Sequence, residues 1–256
     1  SGIHTLLHRT FDPTKVVADM ENHPVSNIFM VPAMIMAVLQ MPDIEQRDFS
    51  ELKQIFYGAS PISETVLRRA IEVFQCDFIQ MYGMTETTGT VVNLSAEDHR
   101  LALEGQPDLL RSCGRTSVGG QAKVVDLEGN ERPTGEVGEI WLKSDTNMKS
   151  YYNLPEATAA NLTDGWVHTG DAGYMDEQGY LYLKDRMKDM VVSGGENIYP
   201  VEVENALAKH DAIVDVAVIG VPDEKFGEAL LAFAVLNKDS SLDLNEMVEF
   251  CRDKIA

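Results

Sequence analysis

The segment YGMTET, at residues 82–87, contains side chains that can contact a base, a phosphate or a metal ion. Tyr82 offers a flat ring on which a base could stack, and Gly83 allows another group to approach the backbone closely. Thr85 has a hydroxyl for a phosphate oxygen, and Glu86 has the carboxylate oxygens that Mg²⁺ prefers. An ordinary polar turn with a chance Thr-Glu pair is the alternative, and these residues alone do not decide between the two.

A second polar segment, GASP at residues 58–61, follows an apolar stretch and precedes a helical pattern. The helix is predicted to begin here, with Ser60 as N-cap and Pro61 at the first helical position. Unpaired amides around Gly58, Ala59 and Ser60 could then face a nucleotide or an acyl group. The alternative is an ordinary strand-to-helix connection without a ligand.

An aspartate and an arginine further along the chain could bind a sugar. Asp171 ends the segment WVHTGD, and Arg186 lies in the segment KDRMKD at residues 184–189. A carboxylate can accept hydrogen bonds from both hydroxyls of a ribose, and a guanidinium can donate to the sugar or to a phosphate. An exposed ion pair is the more common role for such charges.

The elements that must position these residues are predicted to have an α/β architecture. Strand patterns near residues 28–31, 52–57 and 78–82 alternate with amphipathic helices, the first of them capped by Asp12-Pro13, which favours a parallel sheet flanked by helices over residues 1–110. Short strands and turns predict a β-rich region over residues 111–186. Strands and two further helices, one opened by Pro200, predict a small α+β domain over residues 187–256.

Composition excludes several kinds of partner. The formal net charge of −20 would repel nucleic-acid backbones and anionic lipid. No apolar run approaches the roughly 20 residues that a membrane helix needs, and no secretory signal precedes the first predicted helix, so we expect a cytoplasmic protein. The three cysteines lack the paired spacing of a zinc or redox motif.

The order of these segments resembles the adenylate-forming superfamily of acyl-CoA synthetases, peptide-synthetase adenylation domains and luciferases. The resemblance rests on GASP, YGMTET, GEVGEI at residues 135–140, WVHTGD and the stretch between Asp185 and Pro200. Within the family, VSGGENIYP at residues 192–200 is most similar to the fatty acyl-CoA ligase branch. The resemblance covers nearly all of residues 3–256, and it implies that the β-rich region is a distorted barrel and that the small domain is mobile.

The resemblance implies a two-step reaction with ATP, Mg²⁺, coenzyme A and a carboxylic acid. The acid would attack the α-phosphate of ATP to give acyl-AMP and pyrophosphate, and the coenzyme A thiol would then take the acyl group. By position, Glu86 would hold the metal and Thr85 would contact phosphate. Tyr82 and the loop at residues 58–60 would pack on adenine, with Met84 in the same nucleotide site.

The resemblance assigns further roles along the chain. Asp171 and Arg186 would bind the ribose, and Met81 and Gly83 would border the acyl pocket. We expect the metal, adenine and ribose residues to converge on one cleft, and the ligase hypothesis depends on this convergence.

The small domain would rotate between the two steps. Lys188, two residues after the arginine, would be the pivot, because a hinge absorbs large changes in φ and ψ. Gly194 and Gly195 would then line the passage for the pantetheine thiol, where absent side chains leave room. A tight hairpin that requires glycine in any case is the alternative.

Two family motifs are not found in the sequence, namely the phosphate loop that ends in a lysine and the late catalytic lysine. We therefore expect the chain to be a carboxyl-terminal fragment that cannot form an adenylate alone. Two other functions remain open: an adenylation domain that loads an amino or aryl acid onto a carrier protein, and a nucleotide-binding or assembly module without chemistry. Monomer and homodimer also remain open.

Overall fold

The computed structural model describes residues 3–238, 240–252 and 254–255, and it confirms the α/β fold class. The chain divides into two compact units. Unit 1 comprises Ser1–Ala122, Leu142–Val167 and Gln178–Leu181, and unit 2 comprises Lys123–Trp141, His168–Glu177 and Tyr182–Ala256. The domain boundaries expected at residues 110 and 186 stay predictions.

Helices and strands alternate through the first third of the chain, and strands dominate the middle. In chain order they are α1 (Pro13–Asn22), β1 (Asn27–Met30), α2 (Pro32–Leu39), β2 (Gln54–Gly58), α3 (Glu64–Phe74), β3 (Asp77–Met84), β4 (Gly89–Leu94), α4 (Ala96–Leu103), β5 (Arg115–Thr116), β6 (Gln121–Val125), β7 (Gly138–Lys143), α5 (Pro155–Asn161), β8 (Leu162–Thr163), β9 (Trp166–Met175), β10 (Leu181–Arg186), β11 (Val191–Ser193), β12 (Glu196–Ile198), α6 (Pro200–Leu207), β13 (Ile213–Asp223), β14 (Gly227–Leu236) and α7 (Leu244–Cys251). Within the described ranges, none of these helices has the length and apolar character needed to cross a bilayer.

The first sheet has the strand order β1-β2-β3-β4-β5. Its first three strands are parallel, as the sequence predicts, but β4 pairs antiparallel with β3 and with β5. The parallel pairing predicted for the first three strands is therefore confirmed, and two antiparallel strands that the sequence had not indicated extend the sheet. The sequence between YGMTET and α4 gave no alternating pattern strong enough to indicate β4, because polar and apolar residues are mixed in it.

Side-chain caps fix where the helices of unit 1 begin. The Asp12 carboxylate accepts the amide hydrogen of Thr14 at 3.0 Å, as expected for α1. The predicted start of α3 at Ser60 was wrong, because Ser63 is its N-cap and accepts the Val66 amide hydrogen at 3.3 Å. An acidic residue at the first helical position, Glu64, also favours this later start, since it lies at the positive end of the helix dipole.

Buried aromatic side chains fill the core of unit 1. Tyr57, Phe74 and Phe78 are almost fully inaccessible to solvent. The Tyr57 hydroxyl lies 2.9 Å from His99 Nε2, and His99 Nδ1 lies 2.7 Å from the Ser95 carbonyl oxygen, so both ring nitrogens are satisfied. Burial lowers the pKa of His99, which favours the neutral form of the ring.

The second sheet has the order β10-β9-β7-β6, with β8 paired to β9. The turn at residues 176–179 connects two neighbouring strands, β9 and β10. The strands form an open path over the residues that the structure describes, so the distorted barrel expected for this region is not closed.

The last part of unit 2 is a small α+β structure, as predicted. Its sheet has the order β12-β11-β14-β13, and the long hairpin of β13 and β14 is its largest element. Its buried core is formed by Val203, Ala206, Leu207, Ile213, Val218 and Cys251.

Candidate functional site

The YGMTET segment lies at the end of β3 and in the turn that follows. Tyr82, Gly83 and Met84 belong to β3, and Thr85–Thr87 form a short 3-10 helix. The strand was predicted to end at Tyr82, but it continues to Met84, which is opposite Gly89 of β4. A residue with a side chain does not fit at position 83 in place of Gly83, because its Cβ atom would clash with the Gly89 carbonyl oxygen.

The three polar side chains of the turn differ in exposure. Thr87 is fully buried, and its hydroxyl donates to the Gly89 carbonyl at 2.7 Å and accepts the Met84 amide hydrogen at 3.1 Å. Thr85 is exposed and Glu86 is half-buried. The turn therefore uses Thr87 to stabilise itself and leaves Thr85 and Glu86 accessible.

Residues 146 and 148, which follow β7, hold this turn by hydrogen bonds to residues 86–88. The Met148 amide donates to the Glu86 carbonyl at 2.6 Å. The Thr146 hydroxyl donates to the Thr87 carbonyl at 2.9 Å, and the Thr88 hydroxyl donates to the Thr146 carbonyl at 2.6 Å. The position of the turn is thus set by residues that are distant in sequence.

Tyr151 holds the Glu86 side chain, and sequence reasoning missed it. Its hydroxyl donates to Glu86 Oε1 at 2.7 Å across 65 positions of sequence. The hydrogen bond to Glu86 raises the pKa of Tyr151, so the hydroxyl keeps its proton at neutral pH. No local pattern could have indicated a contact over this separation.

The GASP loop begins beside the strand that carries YGMTET. Gly58 ends β2 and pairs with Met81 of β3, whose carbonyl oxygen leaves no room for a Cβ atom at residue 58. Ala59 has a φ of +69°, a left-handed conformation that is uncommon for a non-glycine residue, and Ala59 and Ser60 are exposed. Because α3 begins only at Glu64, the predicted helix-terminal amides are not at residues 58–60.

In unit 2, Asp171 and Arg186 form the ion pair that their residue types suggested. Arg186 Nε lies 3.0 Å from Asp171 Oδ1, and the aspartate side chain is 15% exposed against 56% for the arginine. The arginine also donates from Nη1 to the Thr169 carbonyl at 3.3 Å. The pair brings the two predicted ribose-binding residues together.

The backbone around Asp171 is fixed by two neighbouring side chains. The Glu139 carboxylate accepts the Gly170 amide hydrogen at 3.0 Å through Oε1, and Oε2 accepts the Trp141 indole N–H at 2.9 Å. The buried Thr169 hydroxyl accepts the Asp171 amide hydrogen at 3.0 Å. Glu139 belongs to the GEVGEI motif, so the motif was seen in the sequence although no role had been assigned to this residue.

The predicted pivot and glycine passage are both turns of unit 2. Lys188 is exposed, in a turn closed by the Asp189 amide donating to the Arg186 carbonyl at 3.1 Å. Gly194 and Gly195 have φ values of +62° and +93° and join β11 to β12 as a two-residue hairpin loop. The hairpin by itself therefore requires residues that tolerate positive φ, and a role in thiol passage stays a prediction.

The residues described in the structure contain no group of three or more His, Cys, Asp or Glu side chains arranged to hold a metal. Mg²⁺ does not need such a group, because it often binds one or two carboxylates together with substrate phosphates. The half-buried Glu86, whose Oε2 accepts no hydrogen bond within the described residues, fits that mode. The convergence of Glu86 with Asp171 and Arg186 on one cleft stays a prediction.

Comparison with known families identifies the class of protein. Residues 1–152 match the AMP-binding enzyme family, and residues 202–256 match the AMP-binding enzyme C-terminal domain. Because the first match covers more than half of the chain, the chain belongs to the AMP-binding enzyme family. The resemblance inferred from the sequence motifs is therefore confirmed.

Individual relatives extend this result. The chain is 40% identical to a fatty acid–[acyl-carrier-protein] ligase, ScoC, from Streptomyces coeruleorubidus, over 92% of this chain and 44% of the relative. It is 39% identical to the medium/long-chain-fatty-acid–CoA ligase FadD8 of Mycobacterium tuberculosis, over 91% of this chain and 40% of that protein. The structure is similar to o-succinylbenzoate CoA synthetase from Bacillus subtilis in complex with its acyl-adenylate intermediate, with a TM-score of 0.83 and 34% identity over 97% of this chain and 49% of the other. The chain spans about half the length of these relatives.

Proposed function

We propose that the chain is part of an ATP-dependent acid–thiol ligase that forms an acyl-AMP intermediate. A carboxylate oxygen would attack the α-phosphorus of ATP, and the bond to the β-phosphate would break to release pyrophosphate. A thiol would then attack the acyl carbonyl, lose its proton and expel AMP. The observation that carries this proposal is the Glu86 turn, whose metal-competent carboxylate is held in place within a chain of the AMP-binding family.

In unit 1 the side chains have roles in nucleotide binding. Tyr82 and the loop of Gly58, Ala59 and Ser60 would pack on adenine, and Thr85 would donate to a phosphate oxygen. Glu86 would hold Mg²⁺, which neutralises charge on the phosphates when it is bound. The exposure of Thr85 and Ser60 supports these roles, since neither side chain is committed to the core.

In unit 2 the ion pair would bind the ribose. Asp171 can accept hydrogen bonds from sugar hydroxyls while Arg186 offsets its charge, which suits a neutral ligand. Lys188 would act as the pivot of the small domain, and Gly194 with Gly195 would line the passage of the pantetheine arm of coenzyme A. The exposed turn at Lys188 is compatible with a pivot, because few contacts would have to break when it moves.

A fatty acid is the acid that we favour as substrate. The relatives ScoC and FadD8, which are named for fatty acids, support this choice. Another relative, feruloyl-CoA synthase from Amycolatopsis, is named for an aryl acid and is 36% identical. The residues that line the acid pocket must therefore determine which acid is bound. We also propose a cytoplasmic location for this reaction.

A carrier protein is the second candidate acceptor for the acyl group. The specific observation in its favour is the 40% identity to ScoC, which is named as an acyl-carrier-protein ligase. Coenzyme A and carrier proteins present the same pantetheine thiol, so the chemistry of the second step is shared. Competition for acyl-AMP between free coenzyme A and a carrier protein with a free pantetheine thiol would separate the two acceptors.

The proposal is tested by measuring binding and chemistry separately on the chain. Calorimetric titration with AMP should show saturable binding, because the residues assigned to adenine and ribose are present. Incubation with ATP, Mg²⁺ and a panel of acids should release no pyrophosphate above a denatured control, since the family's two lysine-bearing motifs are not in the sequence. Failure to bind AMP would reject the nucleotide role, and pyrophosphate release would reject the expected inactivity. A longer protein carrying this chain that binds AMP but never releases pyrophosphate would instead favour a non-catalytic binding module.

A further inference from the structure

The Glu86 residue is held at both its main chain and its side chain by one distant segment. Its carbonyl accepts the Met148 amide hydrogen at 2.6 Å, and its carboxylate accepts the Tyr151 hydroxyl at 2.7 Å. Fixing only the backbone would leave the side chain free to change rotamer. The second bond therefore adds orientation of the carboxylate, which stability of the turn alone does not require.

We infer that Tyr151 is a positioning residue that orients the Glu86 carboxylate toward the metal–nucleotide complex. This inference rests on the proposed function, because it assumes that Glu86 holds Mg²⁺. Mg²⁺ demands near-octahedral geometry, so a carboxylate that exchanges between rotamers binds it poorly. Hydrogen bonds to the outer side of a metal ligand are the usual means of fixing its orientation.

Tyr151 is itself held rigidly enough to serve this purpose. Its amide donates to Thr158 Oγ1 at 3.0 Å, and the Thr158 hydroxyl donates to the Leu154 carbonyl at 2.8 Å. The Leu154 amide closes the turn by donating to the Tyr151 carbonyl at 3.3 Å. The first turn of α5, which begins at Pro155, thus fixes the backbone from which the tyrosine ring extends.

A tyrosine suits this position because its hydroxyl is a neutral donor. A lysine or arginine would pair with the carboxylate and compete with a cation, whereas the phenol holds Oε1 and leaves the negative charge in place. The next residue provides a contrast, since the Tyr152 side chain is 90% exposed. Tyr151→Phe and Tyr152→Phe therefore remove one hydroxyl each from adjacent residues, one bonded to Glu86 and one in solvent.

The test compares these two variants with the parent chain by calorimetric titration of ATP, in Mg²⁺ and in excess EDTA. Tyr151→Phe should reduce the Mg²⁺-dependent gain in ATP affinity about tenfold, the lower end for loss of a group that orients a metal ligand, because this site is partly open to solvent. ATP affinity in EDTA should match the parent, and Tyr152→Phe should match it in both buffers. Without ligand, amides at residues 85–88 should exchange hydrogen at the parent rate in Tyr151→Phe, because the bond from the Met148 amide still holds the turn.

The outcomes separate this inference from the function on which it rests. If the parent binds ATP and Tyr151→Phe keeps the full Mg²⁺ dependence, the positioning role is rejected and the proposed function stands. An equal loss of affinity in Mg²⁺ and EDTA would also reject it, because Tyr151 would then serve the fold alone. A parent chain that binds no ATP in either buffer rejects the proposed function, and the positioning role with it.

Discussion

The two candidate carboxylates, Glu86 in unit 1 and Asp171 in unit 2, are held by partners that differ in charge. Glu86 accepts from the neutral hydroxyl of Tyr151, whereas Asp171 pairs with the cationic guanidinium of Arg186. Both carboxylates belong to residues that the sequence analysis had singled out, and both contacts are 3.0 Å or shorter. The difference between the two sites therefore lies in charge rather than in contact distance.

This difference indicates what each carboxylate can bind. A carboxylate oriented by a phenol keeps its full negative charge, which attracts a cation such as Mg²⁺. A carboxylate paired with a guanidinium has its charge largely offset and can still accept hydrogen bonds from a neutral diol. The pairing pattern thus supports the proposal that Glu86 holds the metal and Asp171 the sugar, on electrostatic grounds that are independent of the family motifs.

Glu86→Gln should have the largest effect, because it removes the charge but keeps an oxygen for the Tyr151 hydroxyl. We expect the Mg²⁺-dependent part of ATP affinity to fall on the order of 100-fold, at the upper end for perturbations of a metal ligand's environment. Calorimetry in Mg²⁺ and in EDTA measures this part directly. The exposed Glu51→Gln is the matched control, and an unchanged response to Mg²⁺ in Glu86→Gln would remove the contrast between the two carboxylates.

Asp171→Asn should weaken AMP binding roughly tenfold, equally with and without Mg²⁺, since about 1.4 kcal/mol of sugar hydrogen bonding would be lost. The free energy of unfolding should change by less than about 1 kcal/mol, because an ion pair with a half-exposed arginine contributes little to stability. AMP titration and urea denaturation measure the two quantities. Asp211→Asn, at an exposed position, is the control, and a Mg²⁺-dependent loss in Asp171→Asn would contradict the assignment of the sugar.

Of the three substitutions, Gly170→Ala should have the smallest effect on ligand affinity. Gly170 has a φ of +67° with open space where a Cβ would lie, so the cost is backbone strain of about 1 kcal/mol. Gly135→Ala, at a φ of +85° and also in open space, should lose similar stability in urea denaturation. Only Gly170→Ala, which adjoins Asp171, should also weaken AMP binding, by a few-fold. Equal AMP affinity in the two variants would show that the left-handed turn does not position Asp171.

Elements with strong local signals were predicted well from the sequence. Asp12-Pro13 marks the start of α1 and Pro200 the start of α6, because capping and proline geometry act within a few residues. The apolar runs of β1, β2 and β3 likewise gave the parallel part of the first sheet. These features depend on sequence neighbours alone.

Features that depend on distant or competing partners were not predicted. Ser60 was predicted as the cap of α3, whereas in the structure Ser63 caps it by accepting the Val66 amide hydrogen. Strand β4 forms because its backbone pairs with the end of β3. The composition of β4 alone does not reveal this pairing. In the site, the ion pair followed from residue types, whereas Tyr151 could be found only once the chain had folded.

The long-range attachment of the Glu86 turn has a consequence for the order of folding. The turn is tied to residues 58 to 65 positions later in the sequence by side-chain hydrogen bonds. Closing a loop of this length costs conformational entropy before the hydrogen bonds can form, so the turn should acquire its final geometry late in folding. During synthesis on the ribosome, the Glu86 turn should therefore reach this geometry only after α5 has left the exit tunnel.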